Sequence, residues 1–137
     1  MPKRHRAKAI VIAVTSSIVA SSAPAIAFEL TGVWATDSQL CDKVFDRKGG
    51  QVTFSELSDL YGSGFVIDGN RIAGKTAKCT ITSRKDNGNE ISLTASCATS
   101  IMVQTLQFAL KVNGDDSFSR TFSDIPGMAM SYQRCKF

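Results

Sequence analysis

The stretch from Lys78 to Ala98 constrains this chain more than any other. Cys79 and Ile81 fall on one face of an alternating run, with Lys78, Thr80 and Thr82 on the other. Downstream, Ile91, Leu93, Ala95 and Cys97 alternate with Ser92, Thr94 and Ser96. Period-two alternation marks half-buried strands, and Asp86-Asn87-Gly88-Asn89-Glu90 between them reads as a hairpin loop. A three-residue loop at Asn87-Gly88-Asn89 sets Asp86 opposite Glu90, Ile81 opposite Ala95 and Cys79 opposite Cys97. The register that gathers the apolar side chains on one face therefore also juxtaposes two sulfurs. Cys41–Cys135 follows by elimination, and the two other connectivities of four cysteines stay open.

The rest of the chain reads as β structure around this hairpin. Leu30 to Thr36 is a first strand, with Leu30, Gly32 and Trp34 on one face. Thr36 and Gln39 have capping-box spacing, and Leu40, Cys41, Val44 and Phe45 form one helical stripe. Gly49-Gly50 supplies a stop, with Arg47 and Lys48 before it. The pattern predicts a short helix over 37–48, its stripe turning Cys41 inward. Gln51 to Phe54 fits a strand, and 55–61 fits either a strand or one helical turn. Phe65-Val66-Ile67 and Ile72 flank a Gly69-Asn70 turn, which sets Ile67 opposite Ile72. Ile101 to Val112 fits strand or helix. The strict alternation of Phe118, Arg120 and Phe122 after Asn113-Gly114-Asp115-Asp116 favours strand–turn–strand. Met128 to Phe137 closes the chain. The reading is mainly β: about seven or eight antiparallel strands in a small meander or barrel, with one short N-terminal helix.

The N-terminus carries a different signal. Lys3, Arg4, Arg6 and Lys8 precede an apolar run from Ala9 to Ala20, and Ala25-Ile26-Ala27 gives a small-x-small pattern before Phe28. This is the layout of a cleavable secretory signal over 1–27, leaving 28–137 as one disulfide-stabilised β domain. An uncleaved anchor is the competing reading: Ala9 to Ala27 barely spans a bilayer, and its Ser and Thr residues and Pro24 count against it. An even cysteine number in a small exported domain favours disulfides. The destination is the periplasm or the medium.

Charge follows the same boundary. The chain has 16 Lys and Arg against 12 Asp and Glu. Removing the four basic residues of the leader leaves twelve of each sign. A neutral domain lacks the electrostatic term behind nucleic-acid binding and the attraction to anionic membranes. The single histidine, His5, also lies in the leader, so the domain has neither an imidazole metal ligand nor an imidazole base.

Leu30-Thr31-Gly32-Val33-Trp34 resembles the G-x-W opening of lipocalin-like and avidin-like barrels. The resemblance covers about seven residues and implies a structural role for Gly32 and Trp34, the indole plugging the closed end. No other tryptophan exists, so the aromatic box of avidins is missing and biotin binding is not implied. Ser63-Gly64 is faintly similar to periplasmic lysozyme inhibitors, whose motif wants a tyrosine soon after; here Phe65-Val66-Ile67-Asp68 follows. As a whole the chain resembles small exported proteins of α-proteobacteria, a likeness that carries no mechanism.

No residue set predicts catalysis, a cofactor or a metal. A nucleophilic serine needs a base, and no Ser–Lys spacing stands out. Asp115-Asp116 suits a turn better than acid–base work. Asp86 to Glu90 superficially suggests a calcium loop, with its glycine too early for that pattern. Arg47-Lys48 and Arg84-Lys85 read as solvated pairs, and Met128 and Met130 as core filler. The expected function is non-enzymatic binding of a small apolar ligand or a protein partner. The alternatives are an inhibitor or interaction module acting through loops such as 58–63, and, further off, a His-free serine hydrolase.

Overall fold

The computed structural model describes residues 2, 10–23 and 26–137. The basic cluster Lys3, Arg4, Arg6 and Lys8, with His5 and Ala25, lies outside the described residues; Ala27 and Phe28 lie within. Residues 10–23 form no regular element, and Ile10, Val11, Ile12 and Ile18 stay at least 80% exposed. The apolar run therefore contributes nothing to the core. No helix among the described residues is long and apolar enough to cross a membrane.

Eight strands form a closed antiparallel barrel: β1 (Gly32–Ala35), β4 (Gly64–Asp68), β5 (Arg71–Ala73), β6 (Lys78–Asn87), β7 (Glu90–Ala98), β8 (Val103–Gly114), β9 (Ser117–Thr121) and β10 (Ala129–Arg134). Neighbours follow chain order from β4 to β10, and β1 closes the ring between β10 and β4. Closure leaves no barrel strand with a free hydrogen-bonding edge. Ile67 faces Ile72 as the turn between β4 and β5 requires. Leu30, Trp34, Ile67, Ile91, Leu93, Leu110, Phe118 and Tyr132 make the interior core.

The segment after β1 departs from the sequence reading. A 3-10 turn at Ser38–Leu40 leads into α1 (Cys41–Val44), and the helix ends there rather than at residue 48. Phe45–Lys48 is β2, paired with β3 (Gln51–Phe54) in a separate hairpin. The reason is Gly49-Gly50. Both residues take positive φ, +58° and +78°, the geometry of a two-residue primed hairpin turn rather than a helix stop. Asp37, not Thr36, caps the start, accepting from the Gln39 N–H at 2.9 Å. The α1 and β2 residues Cys41, Val44 and Phe45 pack with Ala35 and Cys135 as a second, smaller core. Val33, Ala35 and Val66 belong to it, so it lies against the outer face of β1 and β4.

Both sequence-derived disulfides are present, Cys79–Cys97 and Cys41–Cys135. The hairpin reaches the first by a different route. Asn87 faces Glu90, so the loop is only Gly88-Asn89, one residue shorter than the pattern suggested. That register alone would misalign the sulfurs by one position. A β-bulge between Ile81 and Ser83 takes up the extra residue and restores Ile81 opposite Ala95 and Cys79 opposite Cys97.

Candidate functional site

The two ends of the barrel differ. At the floor, Trp34 is fully buried and meets Phe118 edge-on at 4.6 Å between centroids. The Arg134 guanidinium lies 4.2 Å over the indole, and Phe28 packs 6.0 Å from it. The incoming segment is not in a strand, yet four consecutive carbonyls have donors. Arg84 Nη2 reaches Phe28 O at 2.7 Å, Arg134 Nη2 reaches Glu29 O at 2.7 Å, Trp34 Nε1 reaches Leu30 O at 2.8 Å and Arg134 Nη1 reaches Thr31 O at 2.6 Å. This is how a segment without a ladder satisfies its backbone.

The two arginines are themselves held by acids. Arg134 Nε donates to Asp116 at 3.0 Å, and Lys136 and Arg134 together hold the Asp116 carboxyl below its usual range. Arg84 forks onto Asp86 at 2.7 and 2.9 Å, which holds Asp86 low and Arg84 high. Asp86 is thus engaged by a guanidinium, and the hairpin turns at Gly88-Asn89. No group of three or more His, Cys, Asp or Glu suited to a metal occurs among the described residues.

The structure supplies a reason for the glycine in Gly32-Val33-Trp34. Gly32 adopts φ +152°, and a Cβ there would strike Arg134 Nη1. Gly32→Ala is expected to displace the guanidinium from the indole and destabilise the fold by about 2 kcal/mol. Thermal unfolding with Trp34 fluorescence reads both effects. An unchanged midpoint and spectrum would contradict this account.

The other end is a mouth. A cavity of about 280 Å³ opens there, lined by Ser58, Phe65, Ile72, Cys79, Arg120 and Tyr132 among others. Arg120 shares the inward face of β9 with Phe118: it faces Leu110 on β8 and Met130 on β10. Its guanidinium sits 4.5 Å from the Phe108 ring centre and 4.6 Å from Phe122. Its Nε is buried without a hydrogen-bond partner. Arg120 takes part in no ion pair among the described residues, and desolvation holds its pKa below the ordinary arginine value. Ser58, in the 3-10 turn Ser58–Leu60, is 1% exposed, and its Oγ also lacks a partner. At the rim, Lys75 binds Asp59 at 2.5 Å.

A wider depression of about 450 Å³ lies between Ser117, Gln133, Arg134 and Lys136, where Asp116 already holds both cations. The loops at the mouth end are apolar at their tips: Leu57, Leu60, Ile101, Met102 and Ile125 are all more than half exposed.

Gly32 and Trp34 sit together at the floor. Cys41–Cys135 ties the outer layer to the end of β10, and Cys79–Cys97 faces the interior with Ala95. Of loop residues 58–63, Ser58, Asp59, Gly62 and Ser63 line the mouth cavity. Sequence reasoning missed Arg120 and Arg84. Arg120 had a signal, since it falls in phase with Phe118 and Phe122. Comparison with models of known protein families, with curated proteins and with solved structures gives no match.

Proposed function

We propose that this chain is an exported, non-enzymatic binding protein that takes a small, partly apolar molecule at the mouth of its barrel. The observation that carries the reading is the cavity of about 280 Å³ with Phe65 and Tyr132 in its wall, above an interior otherwise filled by side chains. That volume lies just below the range of about 300–1,000 Å³ usual for drug-sized ligands, so the guest is small. The site lies at the end of the barrel rather than within it.

Export is supported by the two disulfides and by an apolar N-terminal run that the fold leaves unused. Titration with octan-1-ol, followed by amide NMR, is expected to shift Ser58, Gly64, Ile72 and Tyr132. Shifts confined to the outer surface, or none, would overturn the reading.

The exposed apolar loop tips favour a second reading, a protein partner docked on the mouth end. Affinity capture from an extract of the exported fraction tests it. A partner retained by the natural chain and lost with Leu60→Asp and Ile101→Asp supports it; no reproducible partner counts against it.

A further inference from the structure

We infer that the mouth cavity is built for a small monoanionic carboxylate, with Arg120 receiving the carboxylate and Ser58 adding a donor. This rests on the proposed function and names the ligand's chemistry. Two polar atoms among the described residues are buried without a partner, Ser58 Oγ and Arg120 Nε, and both residues line this one cavity. Buried polar groups are ordinarily paired, so two orphans on residues that line one cavity mark an absent third party.

The charge of the lining gives its sign. Asp59 and Lys75 line the same cavity and neutralise each other at 2.5 Å. Arg120 is left as one uncompensated cation, partly desolvated, which a single negative charge would balance. Shape gives the rest. Phe108 and Phe122 lie within cation–π distance of the guanidinium. Cation–π contact uses its faces and leaves its in-plane N–H edge as the free donor. A planar, two-oxygen acceptor matches that edge in fork geometry. A phosphate monoester would bring close to two charges to a site with one to balance. The wall of Phe65, Ile72 and Tyr132 suits an aromatic or short aliphatic body on the acid.

Octanoate and octan-1-ol, matched in chain length, separate the charge from the apolar body. Calorimetric or NMR titration of the folded protein is expected to show octanoate binding about tenfold tighter than the alcohol. Arg120→Gln is expected to bring the ratio of the two affinities down to about one, and Ser58→Ala to weaken octanoate by a few-fold. Should Arg120→Gln fail to fold, the ratio in the natural chain and the Ser58→Ala variant decide. Equal binding of acid and alcohol overturns the carboxylate inference and leaves the binding function standing. Absence of binding by either compound brings down both.

Discussion

Trp34→Ala is expected to lower the free energy of unfolding by about 4 kcal/mol. The indole is completely buried and contacts Phe28 and Phe118, so truncation removes a large apolar body and leaves a cavity between rings that cannot all collapse into it. Two further losses add to this. Leu30 O loses its donor, and an unpaired buried acceptor costs about 1 kcal/mol or more. Arg134 loses the face on which it stacks, about 0.5–1 kcal/mol at a partly exposed site. For a domain of this size the melting temperature should fall by on the order of 15 °C or more. Trp34→Phe separates the terms, since it keeps most of the apolar area and loses the N–H. A drop below about 1 kcal/mol for the alanine variant would mean that the floor of the barrel is not where its stability resides.

The second large effect concerns the long disulfide. Cys41 and Cys135 are 94 residues apart, Cys79 and Cys97 only 18. In the chain-entropy model the first crosslink stabilises by about 4.6 kcal/mol and the second by about 3. Cys41→Ala with Cys135→Ala should therefore cost more than Cys79→Ala with Cys97→Ala. The difference is sharpened by what the long bridge holds. It pins α1 to the end of β10, and the small outer core of Val44, Phe45 and Ala35 surrounds it. Denaturant titration of both double variants measures the order. The reverse order would show that the outer layer stays docked on β1 and β4 through packing alone. Either loss is a large part of the 5–15 kcal/mol typical of a whole domain.

Much of this architecture was legible in the chain because its strands are half-buried, and half-burial writes a period of two. β7 and β9 are clear cases: Ile91, Leu93, Ala95 and Cys97 point in, as do Phe118 and Arg120. The Cys79–Cys97 pairing rested on the same alternation, although a shorter turn and a bulge together produce it; Cys41–Cys135 came only by elimination. The helix over 37–48 was overextended for a definable reason. Cys41, Val44 and Phe45 do share one buried side, with Leu40 only half-buried, but Phe45 reaches it from a strand. A four-residue helix followed by a short strand leaves the same apolar spacing as a longer helix. Gly49-Gly50 is compatible with either ending; only its dihedral angles decide.

The mouth was harder to read. Arg120 looks like an ordinary solvated residue until closure of the barrel turns its side of β9 inward. Ser58 sits in a stretch whose pattern was ambiguous, and only the folded chain brings that stretch beside Arg120 and Tyr132. Long-range closure, not local propensity, brings the two together. Arg84 was obscured likewise, being read with Lys85 as a surface pair, while the fold turns it to Phe28 and Asp86.

That difference between Arg84 and Lys85 comes from the bulge in β6. Odd-numbered residues, Cys79 and Ile81, look into the barrel in the first half of the strand. After Thr82 the parity inverts: Arg84 lies opposite the inward Leu93, and Asp86 opposite the inward Ile91, while Lys85 lies opposite Ser92. A single supernumerary residue thus lets one strand do two jobs that demand opposite phase. Its first half supplies sulfur and hydrocarbon to the interior. Its second half supplies a guanidinium–carboxylate clasp that fastens the start of the folded domain. Without the offset, the same sequence would aim Ser83 and Lys85 at the floor and leave Phe28 without its anchor.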